Sequence, residues 1–292
     1  MNRVRLMVVL VFPFLAGAAV AQQDPVREAF DRLLTAAEKD DRANGEQAFQ
    51  EVRALGAAAL PQCRARLKSA TVLHRQIAIM IIGEMGPSAA PALPDVVAAT
   101  RDADASVRGA AAVVLADLDR GPATISRLTE LLRDPAPVVR WNSAMSLNKF
   151  GPEAASAVPA LVAALEDEDD NVFSYAMGAL KRIKARPELC VPALTKALAR
   201  NFWAGEALAE FGENARPAMP ALVARLNAQA AKAEPNDMWV HSLAVAIEKI
   251  GGPEAKAALP AVEAAVGRMT SVNFREDLQR VAASLKGPQS SR

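Results

Sequence analysis

The residues best suited to chemistry in this sequence are few and widely separated. The 292 residues include only two histidines, His74 and His241, and two cysteines, Cys63 and Cys190. A structural zinc site needs nitrogen or sulfur ligands at short, regular spacing, and no such spacing occurs. A glycine-rich loop that would cradle phosphates is also missing from the sequence. We therefore expect no metal site, no cofactor and no catalytic residue of this chain's own.

The two cysteines are predicted to be small buried residues rather than a disulfide pair. The repeat described below places Cys63 and Cys190 three repeats apart, and packed helices advance by roughly 10 Å per repeat. Their sulfur atoms would therefore lie beyond the reach of a disulfide bond. A reactive thiol is the alternative.

Carboxylates are concentrated in one acidic run, Glu166 to Asp170. Consecutive acids offer oxygen ligands for Ca²⁺, but this run lacks the glycine and the alternating spacing of a calcium loop. A solvated loop that caps the following helix is the favoured interpretation. For an active site shared with another chain, the nearest candidates are Arg140, Tyr175 and Glu206.

Aromatic side chains are the other feature with functional potential. The three tryptophans, Trp141, Trp203 and Trp239, and the only tyrosine, Tyr175, lie near helix starts in successive repeats. Large rigid side chains with polar tips make good binding anchors. Packing between repeats is the favoured interpretation, because aromatic residues are more often part of a core. The alternative is a row of partner-binding residues.

A recurring phrase organises the elements that must position these residues. Glycine, small residues, proline and Ala-Leu return at residues 86–94, 151–161, 212–222 and 252–260, with variations. Glycine ends a helix because it tolerates the left-handed backbone conformation. Proline suits the first turn of the next helix, where its missing N–H is not needed. Each phrase therefore predicts a helix end followed by a helix start.

A second phrase opens the second helix of each predicted pair. It is rich in residues that cap helix N-termini and occurs at residues 102–108, 134–140 and 167–173. An alanine-rich helix follows and closes on the next glycine. Aromatic residues make up only 4% of the chain, and alanine and leucine favour helix. These observations predict an all-α chain of stacked helical hairpins.

These residues resemble HEAT repeats, especially the short bacterial kind found in the phycobilisome-lyase-like group. The shared pattern is Asp, then Val-Arg, then an alanine-rich helix, and Val107-Arg108 and Val139-Arg140 carry the match. The resemblance covers residues 25–287. It implies a right-handed α-solenoid of about seven HEAT-type helical hairpins.

The resemblance also implies that the Asp and Arg of the pattern pair along the stack as structural rungs. Arg75 occupies the same place one repeat before Arg108. The arginine is absent from three later repeats, at Phe173, Asn201 and Val240. The ladder is therefore expected to be weak in the C-terminal half. Arg108 and Arg140 also join the three tryptophans and the tyrosine as candidate partner-binding residues.

The N-terminus has the organisation of a signal peptide. Arg3 and Arg5 precede an apolar run at residues 6–20, and small residues lead to a predicted cleavage after Ala21. An uncleaved membrane anchor is the alternative, although the run is shorter than a spanning helix of ~20 residues. No later segment is expected to be apolar enough to span a bilayer, so no stable membrane insertion is expected after cleavage.

The resulting organisation is a signal peptide at residues 1–21, a solenoid at 22–287 and a disordered tail at 288–292, in a periplasmic or secreted protein. The full chain has 34 Lys and Arg against 33 Asp and Glu, and removal of Arg3 and Arg5 leaves 32 against 33, a net charge of −1. A nearly neutral chain is poorly suited to neutralise phosphates, so nucleic acid is not an expected partner.

A non-catalytic exported scaffold is the function that these patterns favour. Each repeat contacts only its neighbours, so the fold offers a long concave face for a protein or peptide partner, and a monomer is expected. HEAT-type di-iron hydroxylases need paired His-Glu steps that this sequence lacks. The alternative is an accessory or regulatory subunit of an envelope enzyme whose active site is shared with another chain. A purely structural spacer is a third possibility.

Overall fold

The computed structural model describes residues 24–232 and 234–287. The chain divides between Leu55 and Gly56 into two compact units. The signal peptide predicted for residues 1–21 and the tail predicted for residues 288–292 lie outside the described residues.

The first unit is a single helical hairpin. It consists of α1 (Pro25–Glu38) and α2 (Arg42–Ala54). The carboxylates of Asp24 and Asp41 accept backbone N–H groups in the first turns of these helices, which satisfies donors that have no partner within the helix. The side chain of Phe30 is fully buried.

The second unit is a stack of seven hairpins, each with a first and a second helix. The first helices are α3 (Leu60–Arg66), α5 (Leu93–Ala99), α7 (Pro122–Leu131), α9 (Val158–Ala164), α11 (Pro187–Ala197), α13 (Met219–Ala230) and α15 (Leu259–Val266). The second helices are α4 (Val72–Met85), α6 (Ala105–Leu118), α8 (Pro137–Phe150), α10 (Asp170–Ile183), α12 (Trp203–Ala209), α14 (Asp237–Ile250) and α16 (Val272–Lys286). No strand occurs in residues 24–232 or 234–287. The predicted all-α solenoid is confirmed.

Glycines lie between the hairpins, as predicted. Gly86, Gly151 and Gly212 have φ angles of +54°, +56° and +52°, in the left-handed region that favours glycine. The proline that follows the glycine does not open the next α-helix directly. A short 3₁₀ segment comes first, such as Gly151–Ala157, and the second proline of the phrase, Pro159, lies in the first turn of α9.

Second helices pack against one another along the stack, most closely at α6, α8 and α10. Gly109 of α6 lies where its helix meets α8. A Cβ atom at this position would lie 2.8 Å from Nδ2 of Asn142 and 3.3 Å from the carbonyl oxygen of Val138. The close approach of α6 to α8 therefore depends on the absence of a side chain at residue 109.

Gly109→Ala is expected to lower the free energy of unfolding by about 1–2 kcal/mol, because the added methyl group overpacks this contact. Gly178→Ala in α10 is the matched control, since its methyl group would meet only Nδ2 of Asn148, at 3.8 Å. That variant should gain up to about 1 kcal/mol, because alanine is the better helix former. Urea denaturation followed by circular dichroism measures both changes, and a stability change of the same sign in the two variants would contradict the packing argument.

Residues 72–99 are long and apolar enough to cross a membrane by composition. The expectation that no segment after the N-terminus has such a composition is therefore wrong. The segment is not one continuous α-helix, because it comprises α4, a 3₁₀ segment and α5, with the backbone turning at Gly86. Its isoleucines are buried within the stack, at Ile77, Ile79, Ile81 and Ile82. Burial in a core accounts for the apolar composition.

Both cysteines are unpaired and buried, as predicted. Burial raises the pKa of the Cys63 thiol to about 12 and that of the Cys190 thiol to about 11. The thiolate is the reactive form, and little of it exists at neutral pH when the pKa is so high. The structure therefore favours the packing interpretation of both residues over a reactive thiol.

Candidate functional site

Three ion pairs connect successive second helices near their N-termini. We call them the Arg–Asp ladder: Arg75–Asp102, Arg108–Asp134 and Arg140–Asp167. In each rung, Nε and Nη2 of the arginine donate to the two carboxylate oxygens at 2.7–2.8 Å. Nη1 of the same arginine donates to two carbonyl oxygens of its own loop. Each guanidinium therefore joins two consecutive loops.

The middle rung shows how completely these side chains are engaged. The carboxylate of Asp134 also accepts the backbone N–H of Ala136 at 2.9 Å. Burial alone would raise the pKa of Asp134, but the hydrogen bonds from Arg108 and Ala136 outweigh it and hold that pKa below its usual range. The side chains of Arg108 and Asp134 are only 15% and 8% exposed. Arg108 is thus placed as a structural rung, and Arg140 is placed in the same way in the next repeat.

The Arg–Asp ladder ends at Asp167 within the described residues, which agrees with the weakening expected in the C-terminal half. Arginines at the ends of first helices take over part of its role. Arg200 donates to the carbonyl oxygens of Asp167 and Glu168, and its Cζ lies 4.3 Å from the ring centroid of Phe173. Phe173 occupies the position that holds a rung arginine in the earlier repeats. The guanidinium of Arg200 packs over its ring as a cation–π contact.

The candidate aromatic residues form two separate groups. In the first, Trp141 and Tyr175 stack with ring centroids 5.6 Å apart and an interplanar angle of 21°. Both rings are partly buried and pack against the hydrophobic core of the stack. This pair follows the packing interpretation, and both residues remain partly exposed.

The second group, which we call the aromatic stack, consists of Trp203, Phe202, Trp239 and Arg225. Phe202 lies between the two indoles, with ring centroids 4.5 Å from Trp203 and 4.9 Å from Trp239. The Cζ atom of Arg225 lies 5.2 Å from the centroid of the Trp239 ring. Phe202 is 7% exposed, whereas Trp203 is 40% exposed. The outermost indole therefore offers a large apolar surface on a rigid support.

A group of charged residues surrounds the short helix α12. Glu210 receives hydrogen bonds from Lys184 at 2.5 Å and Lys249 at 2.8 Å, and these contacts lower the pKa of Glu210 to about 2. One turn earlier, Glu206 pairs with Lys181 at 2.9 Å. The lysines come from α10 and α14, so their ion pairs tie α12 to both of its neighbours.

The two histidines lie in different repeats, as predicted. His241 stacks on Phe274 at 4.5 Å, and its Nε2 lies 3.0 Å from a carboxylate oxygen of Asp277. His241 also lines a cleft of about 210 Å³ beside α12, together with Glu206 and Lys249. His74 lies in α4, the second helix of the first hairpin in the second unit, and its Nδ1 is 3.3 Å from the hydroxyl of Ser69.

Four of the five side chains in the acidic run at residues 166–170 make structural contacts. Asp169 caps α10 by accepting the N–H groups of Asn171 and Val172. Asp170 pairs with Arg200 at 2.5 Å. Within residues 24–232 and 234–287, no three His, Cys, Asp or Glu side chains are grouped to hold a metal ion. The capping interpretation is therefore confirmed for Asp169.

Sequence reasoning identified Arg140, Tyr175 and Glu206 as candidates for one shared site, and the structure assigns them to three different contacts. It missed Glu210 and the His241–Asp277 contact. The i, i+4 spacing of Glu206 and Glu210 places both carboxylates on one face of α12. Their lysine partners lie on neighbouring repeats, so the sequence spacing gave no signal for them.

Comparisons with known proteins agree with this architecture. The profile of the HEAT repeats matches residues 60–148 and 125–204. The YibA protein of Escherichia coli has a similar structure, with a TM-score of 0.70 and 15% identity over 90% of this chain and 96% of that chain. An archaeal HEAT-like repeats protein from Thermococcus onnurineus NA1 is similar with a TM-score of 0.54 and 13% identity, over 78% of this chain and 97% of that chain.

An engineered protein also aligns, with a TM-score of 0.62 and 20% identity over 90% of this chain and 79% of that chain. At these identities the structural similarity concerns the fold alone. No match was found among curated protein sequences. None of these matches distinguishes the phycobilisome-lyase-like group from other HEAT repeats.

Proposed function

Because the chain is a HEAT-repeat protein, a class in which each repeat packs against its neighbours, we propose that it is a non-catalytic scaffold that binds a protein or peptide partner on the concave face. The second helices pack closely along the stack, and we assign the concave face to them. In this proposal the protein acts in the periplasm or outside the cell, which the sequence pattern of residues 1–21 supports.

The observation that carries this proposal is the exposure of Trp203 at the end of the aromatic stack. An indole that is 40% exposed, next to a phenylalanine that is 7% exposed, leaves more apolar surface in solvent than a ring that only fills a gap between repeats would leave. Tryptophan is enriched at the energetic centres of protein interfaces, because it buries a large area with little loss of side-chain freedom. The ring contacts with Phe202 hold Trp203 in one orientation before binding.

Trp203→Ala is expected to weaken partner binding at least tenfold, while circular dichroism shows the same helix content as the wild type. Partners would be recovered from envelope extract on the immobilised mature protein, identified by mass spectrometry, and their affinities measured with purified components. The tenfold loss corresponds to about 1.4 kcal/mol, within the range of a binding hot spot.

Val272→Ala provides the matched control, because Val272 is 60% exposed at the start of α16 and is not one of the residues of the aromatic stack. This variant should bind the partner with unchanged affinity. Equal affinity of the wild type and Trp203→Ala for every recovered partner would contradict the proposal.

The alternative function is that of an accessory subunit for an envelope enzyme, and the cleft lined by His241, Glu206 and Lys249 is the observation that favours it. His241 is oriented by Asp277, an arrangement that supports proton transfer in many active sites. A recovered enzyme whose turnover depends on this protein, and loses that dependence with His241→Ala but not with Trp203→Ala, would favour the alternative.

A further inference from the structure

Three exposed cations occupy the same position in successive loops between first and second helices. We call them the basic row: Lys68, Arg101 and Arg133. Their backbone N–H groups make the same turn contact, donating to the carbonyl oxygen three residues earlier at 3.2, 2.9 and 3.1 Å. Their side chains have no ion pair or hydrogen bond within residues 24–232 and 234–287. Within the described residues, each of these cations is therefore unpaired and lies at an equivalent position of its loop.

The Arg–Asp ladder fixes the spacing of the basic row. Residue 101 directly precedes Asp102, which receives Arg75, and residue 133 directly precedes Asp134, which receives Arg108. The loops that carry the basic row are therefore joined rung to rung by bidentate ion pairs. Successive loops advance by the helix packing distance of about 8–10 Å, so the free cations repeat at that interval.

The basic row also has a defined end. The equivalent position in the next loop is Glu166, whose backbone N–H makes the same turn contact at 3.1 Å and whose side chain pairs with Lys196. An anionic partner would meet like charge there. The basic row thus offers three positive positions in consecutive loops and is interrupted at Glu166.

We infer that the basic row binds an extended acidic peptide segment with a carboxylate at every third residue. A polyproline II chain has three residues per turn and rises 3.1 Å per residue, so every third side chain lies on the same face about 9 Å further along. That interval matches the spacing of the loops. This inference rests on the proposed function, because it specifies the chemistry of a partner segment for the same scaffold.

Nucleic acid fits the basic row less well. A strand of duplex DNA carries one phosphate per 3.4 Å, so two of every three phosphates would face no cation. No aromatic side chain lies in the loops of the basic row, at residues 67–71, 100–104 and 132–136, to stack on bases. The acidic peptide is therefore the occupant that the charge spacing favours.

The test uses a fluorescently labelled peptide with three repeats of Asp-Pro-Pro, and a second peptide of the same composition with its three Asp residues contiguous. Fluorescence anisotropy with the full mature chain at low ionic strength measures both affinities. We expect the periodic peptide to bind more tightly than the clustered one. Raising the salt concentration should weaken its binding, because the contacts are exposed ion pairs.

The double variant Arg101→Gln with Arg133→Gln should bind the periodic peptide about tenfold more weakly, since an exposed ion pair contributes roughly two- to fivefold in affinity. Arg182→Gln with Lys256→Gln is the matched control. It removes the same charge from two other exposed cations that make no ion pair in the described part of the chain, and should leave the affinity within about twofold.

In the anisotropy measurements, three results would overturn the inference: equal affinity of the two peptides, unchanged affinity in Arg101→Gln with Arg133→Gln, or tighter binding of an oligothymidylate that the same variant abolishes. The peptides lack groups that would need the aromatic stack, so Trp203→Ala should bind them as the wild type does. If Trp203→Ala lost the recovered envelope partner while Arg101→Gln with Arg133→Gln still bound it, the acidic-segment inference would be contradicted and the proposed function would be supported.

Discussion

Asp134→Ala is expected to lower the free energy of unfolding by about 3 kcal/mol. The carboxylate of Asp134 receives two hydrogen bonds from Arg108 and one from the backbone N–H of Ala136. Its removal leaves the guanidinium of Arg108 largely buried without its charge partner, and breaking such a pair from one side typically costs about 3–5 kcal/mol. The residual exposure of Arg108, 15%, places the expected loss at the lower end of that range.

The position of this rung predicts the form of the unfolding curve as well. In a repeat array, stability depends on the interfaces between neighbouring repeats, and cooperativity depends on the same interfaces. Asp134 lies on the interface between the hairpins of α6 and α8. Urea denaturation of Asp134→Ala, followed by circular dichroism, should therefore show a lower midpoint and a broader or divided transition.

Two further variants distinguish the effect of breaking the rung from the effect of removing any carboxylate. Asp170→Ala removes a carboxylate that is 90% exposed and pairs with Arg200, and should cost less than about 1 kcal/mol. The double variant Arg108→Ala with Asp134→Ala should be less destabilised than the sum of the single variants, because neither charge is then left unpaired. A cost for Asp134→Ala no larger than that for Asp170→Ala would show that the rung does not stabilise the stack.

The rungs and the helix ends could be predicted because they depend on local sequence. Gly86, Gly151 and Gly212 mark the ends of second helices by conformational preference alone, and Arg108 and Asp134 recur at one repeat's spacing. Their pairing follows once the hairpins stack. Gly56, at which the second unit begins, has the same left-handed backbone conformation, with a φ angle of +53°.

Features that depend on three elements at once could not be predicted. Phe202 and Trp203 are adjacent in sequence, yet the first is buried between two indoles and the second is exposed. Their exposure depends on Trp239 from the next repeat, so sequence left the packing and binding interpretations both open. Glu210 meets Lys184 and Lys249 from two different helices, and no spacing in the chain predicts that contact.

The contacts that replace the Arg–Asp ladder in the C-terminal half could not be predicted from the sequence either. Arg200 and Arg268 donate to backbone carbonyl oxygens of the preceding loop, including those of Glu168 and Ala230. Carbonyl acceptors leave no mark in the sequence, so only the loss of the rung arginines was predictable. The guanidinium groups of the ladder bind carboxylates that titrate, whereas Arg268 binds backbone carbonyl oxygens and Arg200 binds both kinds of acceptor.

Acid is therefore expected to destabilise the solenoid strongly between about pH 4.5 and pH 2. The pKa of Glu210 is lowered from its usual 4.5 to about 2 by Lys184 and Lys249. In the three ladder residues, Asp102, Asp134 and Asp167, burial would raise the pKa, but the arginine and backbone hydrogen bonds outweigh it and lower the pKa.

The sign of the effect follows from these directions. A carboxyl whose pKa is lower in the folded chain than in the unfolded chain contributes stability above the unfolded pKa, and this contribution disappears as the pH falls through the folded pKa. For Glu210 the shift corresponds to about 3 kcal/mol, reduced to roughly 2 kcal/mol by solvent screening because its side chain is 20% exposed. The ladder carboxylates add to this loss over the same range.

Urea midpoints measured at pH 5, 4, 3 and 2 at constant ionic strength would check this prediction, with the steepest fall expected below the unfolded pKa of the carboxyls. Glu210→Gln should be less stable than the wild type at pH 5 and should approach it near pH 2, because the variant has no proton to take up at this position. Glu213→Gln is the matched control, since Glu213 is 80% exposed and pairs with Arg216. A wild-type midpoint that stays constant from pH 5 to pH 2 would mean that the carboxylates held by Lys184, Lys249 and the ladder arginines contribute nothing to the stability of the stack.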